Sequence, residues 1–111
     1  MMVMASSPFG GRARSAVLVA LRLLGQSYAR ELARLLDARL SGVQQALRGL
    51  ESDGLVSARF VGRTRLYRID PRYFAYDELQ RYLIRLAEPE RGLRRRIEAL
   101  RRKTRRPGES W

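Results

Sequence analysis

Apolar residues recur at helical spacing in the first third of the chain. Val17, Leu18, Leu21 and Leu24 fall at i, i+1, i+4 and i+7, which predicts a helix from about Ser15 that Gly25 closes. In ARELARLL (29–36), Leu32, Leu35 and Leu36 lie on one side and Arg30, Glu31 and Arg34 on the other, a second short helix. Ser27 and Tyr28 between the two read as a very short extended segment. After the brief turn DARLSG (37–42), Val43, Ala46, Leu47 and Leu50 form the inner stripe of a third helix. Ser41 with Gln44 three residues later fits a capping box, in which the two side chains satisfy orphan backbone donors at a helix start. Gly54 supplies the left-handed stop at the other end.

Period two replaces period 3.6 at this point. LVSARFV (55–61) places Val56, Ala58 and Phe60 on one side and Leu55, Ser57, Arg59 and Val61 on the other; GRT (62–64) is a turn, and RLYRI (65–69) is rich in strand formers. Together they predict a hairpin with a basic tip, ended by Asp70-Pro71 because proline cannot continue the ladder. Beyond it Tyr76, Leu79, Leu83 and Leu86 are spaced 3, 4 and 3, and Leu93, Ile97 and Leu100 are spaced 4 and 3. Position 90 would complete the same frame but holds Glu, and Pro89 suits the first turn of a new helix, with Glu88 near its cap. Two helices are therefore expected, about 74–87 and 89–103, rather than one kinked rod. The expected organisation is a disordered segment over 1–13, a helical and hairpin domain over 14–72, a helical region over 73–104, and a basic disordered tail over 105–111 that ends at Trp111.

Two short helices joined by a turn, preceded by a packing helix and followed by a hairpin, make a helix-turn-helix with a wing. The stretches YARELARLL, DARLSGVQQALRGLESDGLV and SARFVGRTRLYRIDP resemble winged helix-turn-helix transcription regulators of the ArsR/MarR-like kind. The likeness is nearest to the small winged-helix domains found alone or ahead of a nucleotidyltransferase domain. It covers about residues 16–73 and rests on Arg30-Glu31-Leu32, on Ser41, Val43, Leu47, Leu50, Glu51 and Gly54-Leu55-Val56, and on the GRT and LYR of the hairpin. Asp37 stands where such families usually carry Gly, and Gly42 where they carry a small polar residue or Ala. No nucleotidyltransferase motif follows residue 73, and the basic C-terminal helix is outside the pattern. The fold so implied is α+β, mainly α: a winged helix-turn-helix with a two-stranded wing and C-terminal dimerisation helices.

In that fold the second helix of the motif enters the major groove with its N-terminal residues nearest the base edges. Ser41, Gly42, Gln44, Gln45 and Arg48 are the candidates on this chain. Glutamine matches adenine N6 and N7, and arginine matches guanine O6 and N7 or a phosphate. Gln44 and Gln45 lie 100° apart on a helix, so the pair need not act together. Arg63, Thr64 and Arg65 at the wing tip are placed to contact the minor groove, and Arg39 in the turn is a phosphate candidate. Arg30, Glu31 and Arg34 read as a solvated face.

Charge sharpens the partner. The chain has 23 Lys and Arg against 11 Asp and Glu, a net charge of +12, with Lys103 its one lysine. A surface that basic repels itself and fits an anionic partner, double-stranded DNA first. The absence of Cys and His removes disulfides, the common zinc, iron and copper sites, and every nucleophile that needs a histidine base. The carboxylates are scattered or sit beside arginine, so no enzyme, metal or cofactor is expected. AVLVALRLL (16–24) is interrupted by Arg22 and followed by no cleavage site, which favours a cytoplasmic, nucleoid-associated protein over a membrane one.

Residues 90–106 hold nine basic residues around the stripe Leu93, Ile97 and Leu100. That stripe, with Tyr76, Leu79, Tyr82, Leu83 and Leu86, is expected to form a homodimer interface, leaving arginines for flanking phosphates. The function expected is a sequence-specific DNA-binding regulator, a homodimeric repressor, with no effector readable from the sequence. Two other classes fit less of the pattern: an adaptor docking on a protein such as a nucleotidyltransferase, and a non-specific architectural DNA-binding protein.

Overall fold

In the computed structural model, which describes residues 11–103, the first helix α1 (Arg12–Leu24) is apolar almost all round. Val17, Leu18, Val19, Ala20 and Leu21 are all buried. A helix of that kind needs cover on every side, and the rest of the chain supplies it. β1 (Ser27–Tyr28), α2 (Ala29–Leu36) and α3 (Leu40–Ser52) follow; then come β2 (Val56–Val61), β3 (Thr64–Ile69), α4 (Tyr76–Ala87) and α5 (Arg91–Lys103). α2 and α3 pack on one flank of α1, and α4 and α5 on another. Five helices and one antiparallel sheet make the described chain α+β and mainly helical.

The loops between helices are short because each helix stops on a residue that can turn. Asp37 adopts left-handed φ 52° and ψ 48°. Its N–H bonds the Arg34 carbonyl and the Ala38 N–H bonds that of Ala33, the doubled cap of a Schellman motif. Gly54, at φ 82°, does the same for α3 through Leu55 N–H and the Leu50 carbonyl at 2.9 Å. Asp tolerates this region better than most side chains, so the missing Gly in the turn is accommodated.

The sheet has three strands in the order β1-β3-β2, where a two-stranded wing was expected. Ser27 pairs with Tyr67 and Tyr28 with Leu66, so the short extended segment is stitched onto the hairpin. The Ser27 hydroxyl, buried, donates to Glu31 at 2.6 Å and ties that strand to α2. Glu31 is thus held by Ser27 rather than left to Arg30 or Arg34.

Several expectations shift. α1 begins at Arg12, so residues 12 and 13 are helical; Arg12, Ala13 and Arg14 favour helix, and Gly11 accepts its first bond from Ser15 at 3.1 Å. Residues 1–10 of the expected N-terminal segment, and the tail 105–111 with Trp111, lie outside the described residues. α3 begins at Leu40 with Arg39 at its N-cap and no side-chain cap, so Ser41 and Gln44 form no capping box. The Schellman turn at Asp37 leaves only Ala38 and Arg39 as a link, which places Ser41 inside the first turn. α4 and α5 are separate helices, but Glu88 closes the first, Pro89 lies in the link, and Glu90 accepts the opening bond of α5 from Arg94 at 3.1 Å.

The largest difference concerns the stripe assigned to a dimer mate. Leu79, Leu83, Leu93 and Ile97 are buried within the chain's own core. Tyr76, Leu86 and Leu100 pack partly buried against that core, and Tyr82 is half-buried. The reason lies in α1, whose second apolar side would be wet without α4 and α5. No helix among the described residues is long and apolar enough to cross a membrane.

Candidate nucleic-acid interface

The exposed side of α3, the β2–β3 turn and the start of α2 converge on one face. Between them runs a groove of about 570 Å³, walled by Gln44 and Leu40 from α3, Arg63, Thr64, Arg65 and Tyr67 from the hairpin, and Tyr28 and Arg30 from the start of α2. Among the described residues no carboxylate lines it. A second cleft of about 370 Å³ continues from Arg30 and Leu40 to Arg34 and the Asp37-Ala38 turn.

Every residue singled out from the sequence on this face is exposed: Arg39, Ser41, Gly42, Gln44, Gln45, Arg48, Arg63, Thr64 and Arg65. They are not equivalent. Gln44 faces the hairpin across the groove, whereas Gln45, a 100° step around the helix, and Arg48, one turn further along from Gln44, do not line it. Gly42 has nothing within 4 Å of the position its Cβ would occupy, so its small size opens the helix start rather than relieving a clash.

The two arginines of the wing differ more sharply. Gly62, at φ 63°, makes the turn. Arg63, next along, has no ion pair or hydrogen bond among the described residues. Arg65 donates to Glu51 at 2.8 Å, and its guanidinium sits 5.5 Å from the Tyr67 ring and 5.7 Å from the Phe60 ring. Both partners of the ion pair are about a third or more exposed, so the bond contributes at most about 1 kcal/mol. It ties the hairpin to the last turn of α3.

Tyr28, Arg30, Glu51 and Tyr67 belong to the face and were not singled out from the sequence. Arg30 was hidden by the alternation Arg30, Glu31, Arg34, which resembles an ordinary charged surface. Since Glu31 bonds Ser27 instead, Arg30 and Arg34 make no ion pair among the described residues. Tyr28 joins through its pairing with Leu66, a register that sequence spacing does not reveal.

Arginines elsewhere have other work. Arg96 donates to the Leu35 carbonyl at 2.8 Å and Arg101 to that of Leu23. Both cap the C-terminal ends of helices, where cations are favoured. Arg72 holds Asp70 through its side chain and backbone N–H, and these hydrogen bonds keep the Asp70 carboxyl below its usual range. Burial pushes the Glu90 carboxyl up. Among the described residues no three His, Cys, Asp or Glu side chains cluster as a metal site would require. A scan against protein-family models and a search of curated proteins returned no match to this chain.

Proposed function

We propose that this chain is a winged helix-turn-helix regulator of the ArsR/MarR-like kind, which binds double-stranded DNA sequence-specifically and acts as a homodimeric repressor in the cytoplasm, on the nucleoid. The observation that carries the reading is the open groove between α3 and the hairpin: glutamine on one wall, the Arg63 guanidinium on the other, and, among the described residues, no carboxylate in its lining and no partner for Arg63. In this reading α3 enters the major groove, Gln44 meets an adenine edge, and Arg63 and Arg30 take the phosphates on either side. Arg65 is the spacer that sets the wing angle. Gln45 and Arg48, outside the groove, meet the neighbouring backbone or bases.

The homodimer belongs to the same proposal. The inner leucines of α4 and α5 are already used, so its seam is assigned to the outer side of α4, where Ile84 is 39 % exposed between Arg81 and Arg85. Sedimentation at micromolar concentration is expected to give twice the chain mass, falling to one chain mass in Ile84→Glu.

The experiment is a titration of the protein against a duplex from its own upstream region and a scrambled duplex, at two salt concentrations. A preference of about a hundredfold or more that Gln44→Ala removes supports the regulator. Equal affinities that collapse together as salt rises support phosphate-driven architectural binding instead. No DNA binding at either salt supports a protein-docking adaptor.

A further inference from the structure

β2 begins in the core and runs out of it. Val56, Ala58 and Phe60 share one side of that strand, and along it exposure rises from buried at Val56 through half-buried at Ala58 to 67 % at Phe60. The alternation that should bury an aromatic ring thus carries it past the body of the protein, toward the Gly62 turn. Across the ladder Phe60 pairs with Arg65 and Ala58 with Tyr67. Paired residues share a face, so the ring stands on the side of the hairpin that lines the groove, one pair nearer the tip than Tyr67. Val61, next along and on the other side, is 38 % exposed.

Two plain explanations fall short. Phenylalanine favours strands, but valine or threonine would serve the ladder as well. Phe60 also lies 5.7 Å from the Arg65 guanidinium, yet Tyr67 offers that cation a ring at 5.5 Å, and Phe60 is two-thirds exposed with Arg65 in place. β2 is an edge strand, where an exposed apolar side chain invites aggregation. Such a ring fits a surface that a partner covers. The surroundings give the partner's chemistry, because the hairpin (56–69) contains four arginines and no Asp or Glu. Arg59 and Arg68 have contacts of their own and Arg65 has Glu51, but Arg63 in the turn makes no ion pair or hydrogen bond among the described residues. An aromatic ring beside a basic turn suits a polyanion with flat apolar faces, which is a nucleic acid rather than an acidic peptide.

We propose that Phe60 is an apolar wedge: with the wing at the minor groove, its ring enters a base step, partly unstacks it and kinks the duplex. The inference rests on the DNA-binding reading above and adds to it a deformation of the DNA. Unstacking costs least at pyrimidine–purine steps such as TA and CA, so the wing selects such a step without a hydrogen bond to any base.

The test uses a short duplex from the chain's own upstream region with donor and acceptor dyes at its two ends, titrated with the full chain at low salt and at a second, higher salt. Anisotropy reads binding, and energy transfer between the ends reads bending. The wild type is expected to bind and to bend the duplex by at least about 20°. Phe60→Ala, at an exposed position that the core does not need, weakens binding roughly tenfold and removes most of the bend. The slope of log K against log salt stays the same, because no charge is lost. Phe74→Ala removes a ring that is 92 % exposed on the link before α4, and changes none of these readings. Wild-type binding without a bend, or a bend that Phe60→Ala leaves intact, would overturn the wedge and leave the regulator standing. A reduced salt slope in Phe60→Ala would also overturn it, since the ring would then act only by holding Arg65. Absence of wild-type binding would overturn both readings.

Discussion

Two regions of this molecule are rich in arginine, and their arginines have opposite fates. On the face formed by α3, the hairpin and the start of α2, Arg30 and Arg63 have no ion pair among the described residues and stand beside an open groove. On α5, Arg96 and Arg101 turn inward and hydrogen-bond the C-terminal carbonyls of α2 and α1. The same side chain at the same formal charge is left exposed beside a groove in one place and serves as a cap in the other. Net charge therefore overstates the surface available for an anion, and only the contacts separate the two uses.

The strongest way to break this comparison is to ask whether the C-terminal helices are built inward at all. Leu83, on α4, is fully buried in the core. Leu83→Ala is expected to cost about 2–5 kcal/mol of unfolding free energy, measured by urea denaturation, and the loss should not depend on protein concentration. A loss that vanished on dilution would return the stripe to a dimer seam. Next comes Arg96→Gln, which removes the cap from α2 and is expected to cost about 1 kcal/mol in the same assay while leaving DNA affinity unchanged.

A smaller effect, of opposite sign, sharpens the first region. Glu51 is the carboxylate that holds Arg65. Glu51→Gln removes a negative charge near the proposed DNA face and frees the guanidinium, so affinity measured by fluorescence anisotropy should rise by about two- to fivefold at low salt, with specificity reduced as the wing loosens. An unchanged affinity and specificity would mean that Arg65 sets no wing angle.

The smallest effect lies on the link before α5. Burial raises the Glu90 pKa in the folded chain, so its charged form destabilises the fold above that value and the penalty is relieved as pH falls toward the usual glutamate range near 4.3. Glu90→Gln should raise the thermal midpoint slightly at pH 7 and leave it unchanged well below pH 4. Asp70 has the opposite sign. Its lowered pKa contributes stability above the ordinary aspartate range that disappears as pH falls through the folded value.

Much of the architecture was legible in the spacing of apolar residues. A first helix from about Ser15 to Gly25, a second over 29–36, a third over 41–53, the hairpin and the division at Pro89 follow from periods of 3.6 and 2 and from Gly25, Gly54 and Gly62, with the helix starts displaced by one to three residues in the structure. What was not legible depends on partners distant in sequence. The run Val17 to Leu21 is apolar on every side of α1, and that alone signals a helix covered on both flanks; the stripe of α4 and α5 was instead assigned outside the chain. The capping box failed because a Schellman turn at Asp37 moved the helix start forward. Within the candidate interface, Gln44, Arg63 and Thr64 were found by residue type and position. Arg30 and Glu51 were missed because only tertiary contacts show that Glu31 belongs to Ser27 and Arg65 to Glu51.

The central claim is that the groove of α3 and the hairpin, and not the basic helix α5, meets the phosphates. The most direct measurement is the salt dependence of affinity for one duplex, compared for the wild type, Arg63→Ala and Arg96→Gln. The account predicts that Arg63→Ala lowers affinity and reduces the slope of log K against log salt by about one, while Arg96→Gln leaves both at their wild-type values. A slope unchanged by Arg63→Ala but reduced by Arg96→Gln would contradict it.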